Sequence, residues 1–337
     1  MSDTATGLRP EPPLLEVADL VVEFHTRDGV ARVLNGVSYH VDAGETLAVL
    51  GESGSGKSVT AQAVMGILDT PPAVVRGGEI RYRGENLLTA TPERRTGVRA
   101  QGIAMIFQDA LSALNPVFTV GFQIEEQLRV RLGMTRKEAR ARAVELLDLV
   151  RIPHARRRVR QYPHEFSGGM RQRAMIAMSL ALDPEVLIAD EPTTALDVTV
   201  QAQIMDLLAE IQAERRMGLI LITHDLGVVA EVADRIAVMY AGRIVEYADA
   251  VSLYRMPGHP YTAALLQSLP RLDQKGAELN TIKGLPPSLL AIPSGCPFHP
   301  RCPKAQDLCR VDKPGDHRLG LGRTSKCHFA EELVRSV

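Results

Sequence analysis

A glycine-rich segment constrains the fold of this chain more than any other feature. The letters GESGSGKS occupy Gly51–Ser58, between the apolar run Thr46–Leu50 and the helical pattern Ser58–Leu68. Glycines let backbone N–H groups turn inward around an anion, and the N-terminus of the following helix adds positive potential. This order of strand, glycine loop and helix predicts a phosphate-binding loop in an α/β domain. A flexible Gly/Ser turn, the alternative, would need neither the lysine nor the strand–helix context.

Individual residues of this loop have predicted roles. Lys57 is expected to contact the β- and γ-phosphates, and the Ser58 hydroxyl is expected to ligate Mg²⁺. The cofactors predicted on this basis are ATP and Mg²⁺. The other loop residues expected to bind the nucleotide are Gly51, Ser53, Gly54, Ser55 and Gly56.

Two acidic residues follow a second buried strand. The letters VLIAD place Asp190 at the end of the apolar run Val186–Ala189. A buried carboxylate is costly unless it meets a cation, and Mg²⁺ would supply one. Glu191 lies one residue further on and is predicted to be the general base toward the attacking water. The alternative for Glu191 is an N-cap acid of the next helix.

Two other polar residues are placed where strands end. His224 follows the apolar run Leu219–Thr223, at the edge where ligands bind in open α/β sheets, so it could hydrogen-bond the γ-phosphate. The alternative for a lone histidine is a structural role. Gln108 ends the run Ile103–Phe107 and could reach Mg²⁺ or water when nucleotide is bound.

A second anion site is predicted at the segment Phe166–Met170. Ser167, Gly168 and Gly169 open a helix there, and a serine with two glycines at a helix N-terminus favours anion binding. One chain then has two phosphate sites separated by a helical segment. The simplest arrangement is a head-to-tail pair, in which the second site of one subunit closes on the γ-phosphate held by the other.

The patterns predict three parts of the chain. Residues 1–13 are a disordered lead-in, 14–257 a nucleotide-binding domain and 258–337 a small C-terminal module rich in Pro, Cys and His. The domain is predicted to be α/β, with an antiparallel N-terminal sheet portion and a helical insertion at about 115–165. In that insertion, Thr135 and Glu138 form a capping box.

Composition excludes some functions. The net charge is −1 and the chain has no Trp, which predicts neither a basic field nor a base-stacking platform for nucleic acid. No segment approaches the roughly 20 apolar residues that a membrane span needs, so any membrane role is expected to need a partner.

Together these motifs resemble those of ABC transporter ATPase subunits, over about residues 14–250. GESGSGKS is similar to the Walker A motif and VLIADE to Walker B. FSGGM resembles the LSGGQ signature, with Phe and Met in place of Leu and Gln. TALD resembles the D-loop and contributes Asp197, with Thr194 where serine is common.

The resemblance also implies roles for residues outside these four motifs. Gln108 is similar to the Q-loop glutamine and His224 to the switch histidine. Phe24 stands where the family stacks an aromatic ring on adenine. The activity implied is ATP hydrolysis coupled to transport.

A narrower resemblance is to the oligopeptide/dipeptide (peptide/nickel) importer branch. It rests on QYPHEFSGGMRQR at Gln161–Arg173, QDALSALNP at Gln108–Pro116, DEPTTALDVTVQAQI at Asp190–Ile204, HPYTAALLQSLP at His259–Pro270 and GCPFHPRCP at Gly295–Pro303. It implies import of di- or oligopeptides, and nickel or another small solute is the alternative within the branch.

The same resemblance implies partners and a location. The partners are two membrane permease subunits, a second ATPase that is a related but different chain, and indirectly an extracytoplasmic peptide-binding protein. The chain is expected at the cytoplasmic face of the membrane. The segment Asp109–Gln127 is expected to help receive a permease coupling helix, or else to be core of the helical insertion.

All four cysteines lie near the C-terminus, with the spacing C-x5-C-x6-C-x17-C, which fits neither the usual zinc-finger nor the ferredoxin pattern. The importer-type tail is similar to tails in which four cysteines hold a [4Fe–4S] cluster. Structural Zn²⁺ and free thiols or disulfides are the alternatives. His299 and His328 flank the site and are expected at the surface rather than as ligands. The cysteines are Cys296, Cys302, Cys309 and Cys327.

Two rival functions belong to other classes. A soluble ABC ATPase acting on nucleic acid would use a basic stripe, and Arg156–Arg160 is the candidate run, whose alternative is a solvated helix end. A regulatory module without catalysis is the other rival. The complete set of Lys57, Asp190, Glu191 and His224 argues against it.

Overall fold

The computed structural model describes residues 12–194, 196–268, 282–320 and 322–335. The predicted lead-in 1–13 therefore lies almost wholly outside the described residues. The strands are β1 (Leu15–Thr26), β2 (Gly29–Val41), β3 (Thr46–Leu50), β4 (Ala73–Tyr82), β5 (Glu85–Asn86), β6 (Ile103–Ile106), β7 (Val186–Asp190), β8 (Gly218–Ile222), β9 (Arg235–Tyr240), β10 (Arg243–Asp249), β11 (His317–Gly320) and β12 (Arg323–Ser325).

The described residues also form α-helices and two short 3₁₀ turns, at Pro163–Glu165 and His299–Arg301. The α-helices are α1 (Lys57–Met65), α2 (Pro92–Gln101), α3 (Ala110–Ala113), α4 (Val120–Leu132), α5 (Arg136–Leu149), α6 (Ala155–Arg158), α7 (Gly168–Ser179), α8 (Val198–Arg215), α9 (Leu226–Val232), α10 (Ala250–Arg255), α11 (Pro260–Gln267), α12 (Asp307–Val311) and α13 (Ala330–Arg335).

The N-terminal sheet is antiparallel, as predicted. Its strand order is β2-β1-β4-β5, and β1 pairs along its length with both β2 and β4. Alternate residues of β1, such as Leu15 and Val17, are buried, which is the pattern of a sheet with one face on a core. That face packs on the core sheet in one hydrophobic cluster with β3.

The core sheet has a parallel centre. Its order is β11-β12-β10-β9-β3-β8-β7-β6, and the strands from β9 to β6 run parallel to one another. Every residue of β3, β7 and β8 is buried. Helices such as α7 and α8 cover one face, and α1 with the N-terminal sheet covers the other. Burial on both faces explains why these strands are continuous apolar runs rather than alternating ones. The predicted α/β fold is confirmed.

The topology brings the predicted site residues to one edge of this sheet. Gly51 follows β3, Gln108 lies two residues after β6, Glu191 follows β7 and His224 lies two residues after β8. The carboxyl ends of parallel strands meet at the same edge, so side chains distant in sequence become neighbours there.

The helical insertion has the predicted local structure. No strand occurs between β6 and β7 in the part of the chain that the structure describes. The capping box is present: Thr135 Oγ1 accepts from the Glu138 backbone N–H at 3.3 Å, and the Glu138 carboxylate accepts from the Thr135 N–H at 2.8 Å. The apolar face of α5, including Leu146 and Leu147, packs with α7 in one cluster.

The C-terminal residues extend the core sheet. Strand β12 pairs antiparallel with β10, so that Glu246 lies opposite Ser325, and β11 adds to the outside of β12. The sequence predicts an irregular module here, because strands of three and four residues are too short to show an alternating pattern. Among the helices of the described ranges, none has both the length and the apolarity that crossing a bilayer requires.

Candidate nucleotide site

The glycine loop is closed around its lysine. Lys57 begins α1, and its Nζ donates to the backbone oxygens of Gly51 at 2.7 Å and Glu52 at 3.0 Å. A Cβ added at Gly51 would lie 2.2 Å from the backbone oxygen of Met239, so only glycine fits. Burial lowers the pKa of Lys57, and the nearby Glu191 opposes that shift. Among the described residues this buried ammonium donates hydrogen bonds only to carbonyl oxygens, which favours the arrival of an anion.

Two of the residues predicted to bind Mg²⁺ are in contact: Ser58, near the start of α1, and Asp190, at the end of β7. The Ser58 hydroxyl donates to Asp190 Oδ1 at 3.1 Å, and Asp190 is only 4% exposed. Burial raises the pKa of Asp190, and the hydrogen bond from Ser58 partly offsets this. A hydroxyl and a carboxylate are the oxygen ligands that Mg²⁺ prefers. The arrangement fits the ion, and both residues remain predicted ligands.

The predicted base is surrounded by polar side chains. Glu191 Oε2 accepts from Gln108 Nε2 at 3.1 Å and from Thr194 Oγ1 at 2.9 Å. His224 Nδ1 lies 3.6 Å from Glu191 Oε1. Three of the predicted residues are thus brought together, although Gln108 contacts the base here rather than Ser58 or Asp190. The motif comparison did not predict the contact between Thr194 and Glu191. The short separation of the two residues in sequence could have indicated it.

Backbone geometry marks Glu191. Its φ is +46°, in the left-handed region that residues other than glycine seldom adopt. The Glu191 N–H donates to the Ile222 oxygen of the adjacent strand β8 at 2.8 Å, which holds the residue in this conformation. The side chain is 18% exposed, whereas that of His224 is 68% exposed. A carboxylate fixed at the edge of the sheet with an exposed imidazole beside it can accept a proton from a bound water.

The second predicted anion site is a separate helix N-terminus. Ser167 is the N-cap of α7, and its Oγ accepts from the Met170 N–H at 3.4 Å. Ser167 and Gly168 are exposed, and Gly169 is half-buried. No hydrogen bond or ion pair of the described ranges joins this segment to Gly51–Ser58. The segment Ser167–Gly169 is therefore accessible to an anion that its own phosphate loop does not hold.

Asp197 and Phe24, two further predicted residues, lie near the ends of secondary-structure elements. Asp197 is the N-cap of α8 and accepts from the Val200 N–H at 2.9 Å. Phe24 lies at the end of β1, half-buried against the N-terminal cluster. Beside it, the Arg76 guanidinium holds the pKa of Glu23 below its usual range. Adenine stacking on Phe24 remains a prediction.

The four cysteines line one cavity of about 250 Å³. Burial raises the pKa of Cys296 and Cys302, and it raises the pKa of Cys327 to about 11. In the described ranges, no three or more His, Cys, Asp or Glu side chains are grouped so that they could hold a metal ion. The four thiols share one cavity, but this arrangement does not support the predicted metal site.

The histidines beside this cavity bond to the backbone. His299 Nδ1 lies 3.0 Å from the oxygen of Cys296, and His328 Nε2 lies 3.0 Å from the oxygen of Asp312. Both rings also line the cavity. Both histidines are half-buried rather than fully at the surface, and the expectation that they are not ligands stays a prediction.

The chain matches two family models. The ABC transporter model matches residues 34–194, and the model of the oligopeptide/dipeptide transporter C-terminal region matches residues 245–309. Together they cover the phosphate loop, both acidic residues, the signature segment and three of the four cysteines.

Curated relatives are similar over nearly their whole length. The oligopeptide transport ATP-binding protein OppD of Salmonella typhimurium is 50% identical over 336 residues, which is 99% of each chain. The dipeptide transport ATP-binding protein DppD of Bacillus subtilis is 48% identical over 319 residues, or 95% of each chain.

Solved ABC cassettes share the fold. The dimeric structure of MJ0796, a bacterial ABC transporter cassette, aligns with a TM-score of 0.63 at 26% identity, over 70% of this chain and 98% of that one. The cbiO1 structure from Clostridium perfringens, part of the complex cbiONQ, aligns with a TM-score of 0.62 at 29% identity, over 73% and 92% of the two chains. The chain therefore belongs to the ATP-binding, ATP-hydrolysing subunits of ABC transporters that carry the oligopeptide/dipeptide transporter C-terminal region.

Proposed function

We propose that this chain hydrolyses ATP to power the import of di- and oligopeptides through a membrane transporter. The observation that carries the proposal is full-length similarity to an oligopeptide transport ATP-binding protein, at 50% identity over 99% of each chain. The similarity includes the C-terminal region, where residues 245–309 match the oligopeptide/dipeptide transporter model. Nickel or another small solute is the alternative, and the names of the relatives favour peptide.

The residues at the carboxyl edge of the core sheet have separate proposed roles in ATP binding and hydrolysis. The backbone of Gly51–Ser58 and the Lys57 ammonium would bind the phosphates, and Ser58 and Asp190 would hold Mg²⁺, which neutralises charge on the phosphates when bound. Glu191 would take the proton of the attacking water, and His224 would orient the γ-phosphate. Gln108 would leave Glu191 when nucleotide arrives, which couples the site to the helical insertion.

A paired ATPase would complete the site. The exposed N-terminus of α7 at Ser167 and Gly168 has the geometry of an anion site, and no hydrogen bond between described residues joins it to its own phosphate loop. The dimeric MJ0796 cassette supports such a pair. We infer that each composite site takes the phosphate loop of one subunit and Ser167–Gly169 of the other, and that the second subunit is a related but different chain.

The helical insertion offers a surface for the permease subunits. Phe118 and Phe122 stack at 4.8 Å between ring centroids, and they are 43% and 38% exposed. Val117 beside them is 69% exposed. Apolar residues exposed together favour a protein partner. We propose that this surface meets the permeases at the cytoplasmic face of the membrane, while an extracytoplasmic binding protein delivers the peptide.

The cysteine cavity is proposed to take a [4Fe–4S] cluster, with Zn²⁺ as the alternative. The proposal rests on the resemblance of the importer-type tail, and the cavity of about 250 Å³ that the four cysteines line leaves room for a cofactor larger than one ion. The full chain, purified without oxygen, is expected to carry iron and sulfide and to absorb broadly in the visible range. Zinc at about one per chain would favour the alternative, and a colourless protein without either metal would contradict both.

The proposed transport activity predicts peptide-dependent hydrolysis. The chain is expected to co-purify with its permease subunits and the paired ATPase. In vesicles, a peptide-loaded binding protein is expected to raise ATP turnover at least about tenfold above the peptide-free rate. Stimulation by Ni²⁺ with its own binding protein, and none by peptides of two to several residues, would contradict peptide import.

A further inference from the structure

Glu52, the second residue of the phosphate loop, is contacted by the C-terminal segment. Arg301 makes a bidentate ion pair with it: Nη1 lies 2.6 Å from Glu52 Oε2 and Nη2 lies 2.8 Å from Oε1. The Arg301 side chain is 5% exposed and that of Glu52 is 25% exposed. Two parallel hydrogen bonds of this kind, largely shielded from water, fix the relative orientation of the two side chains and also stabilise the contact.

A tyrosine from α11 contacts the same residue. The Glu52 backbone N–H donates to the Tyr261 hydroxyl at 2.9 Å. Tyr261 is fully buried, and its ring packs on Tyr240 and Phe298, at centroid distances of 4.6 Å and 5.3 Å. His259, the N-cap of α11, accepts from the Tyr261 N–H through Nδ1 at 3.0 Å. The hydroxyl is therefore held at a fixed position.

Glu52 also contacts the lysine that is predicted to bind the phosphates. Its backbone oxygen accepts a hydrogen bond from Lys57 Nζ at 3.0 Å. Glu52 thus joins the C-terminal segment to Lys57 through its side chain, N–H and carbonyl. Arg301 itself lies in a tight turn bounded by Cys296 and Cys302: its N–H donates to Phe298, and its Nε donates to the oxygen of Lys283 at 3.2 Å.

We propose that Arg301 and Tyr261 are positioning residues for the phosphate loop, so that the cysteine-lined C-terminal segment sets the affinity of the chain for ATP. A loop held before the ligand arrives loses less conformational freedom on binding, which raises affinity. Both residues contact Glu52 of the phosphate loop, and the proposed effect on the loop runs through that contact. The proposal rests on the ATP binding of the family and not on the identity of the transported solute.

The test is a double-mutant cycle on the full chain. The Kd for Mg²⁺-AMPPNP is measured by calorimetry for the native chain and for Arg301→Ala, Arg301→Lys and Tyr261→Phe. Arg301→Ala is expected to raise Kd about tenfold. Arg301→Lys keeps the charge but loses the two parallel hydrogen bonds, so a smaller rise is expected. Tyr261→Phe removes one hydroxyl and is expected to raise Kd without unfolding the chain.

Two comparisons distinguish positioning from simple loss of stability. Arg310→Ala is the matched control, because its guanidinium is 67% exposed in the same segment, and it is expected to leave Kd unchanged. In a Glu52→Gln chain, Arg301→Ala is expected to change Kd by less than about twofold, because the two residues act as one unit. An equal tenfold loss in both backgrounds, or no loss for Arg301→Ala and Tyr261→Phe in chains that bind nucleotide, would overturn the proposal. A native chain that binds no nucleotide would instead contradict the ATPase assignment.

Discussion

Glu191→Gln is expected to keep ATP binding and to lose turnover by about 10²–10⁴-fold, which is the usual contribution of a general base. The amide keeps the size of the side chain, and its oxygen can still accept from Gln108 or Thr194, so the local structure is expected to persist. What it cannot do is accept the proton of the attacking water. The measurement is steady-state phosphate release by the assembled transporter, together with nucleotide affinity.

The matched control for this variant is Glu210→Gln. Glu210 lies on α8 with a side chain that is 60% exposed, paired with Arg151. It is expected to show native turnover. If Glu191→Gln also hydrolysed ATP at close to the native rate, Glu191 would not be the base.

Lys57→Ala is expected to weaken ATP binding by about 100-fold or more, because it removes a charge that has few competing partners and faces the phosphates. Among the described hydrogen bonds, the ammonium donates only to the carbonyl oxygens of Gly51 and Glu52. Burial lowers the pKa of Lys57, which means that the charged form is disfavoured there. Its removal is therefore not expected to lower the melting temperature without nucleotide.

Calorimetric titration with Mg²⁺-AMPPNP checks this prediction, with thermal unfolding measured in parallel. Lys137→Ala is the control, since Lys137 is exposed on α5, and native affinity is expected for it. Native affinity in Lys57→Ala would show that the loop binds nucleotide without its lysine, which would contradict the assigned role.

Much of the site could be predicted from the sequence because its residues follow apolar strands. Continuous apolar runs identify buried parallel strands, and the carboxyl ends of such strands lie together. The predicted neighbours Gln108, Glu191 and His224 are within contact distance for this reason. The fold class followed from the same alternation of strands and helices.

The contacts that the sequence could not predict are long-range and depend on tertiary packing. Arg301 and Glu52 are 249 residues apart, and no periodicity relates them. Strand β12 reads as part of an irregular tail, and only its pairing with β10 identifies it. The grouping of the four thiols around one cavity likewise depends on how the C-terminal segment folds, and the spacing alone did not establish a metal site.

We propose that ATP is bound between two subunits. The most direct measurement is the structure of the assembled transporter with Mg²⁺-AMPPNP. The result we expect has Lys57 of this chain on the β- and γ-phosphates of one nucleotide, and Ser167 of this chain against the γ-phosphate of the nucleotide held by the paired ATPase. A nucleotide enclosed by the phosphate loop and Ser167 of a single chain would contradict it.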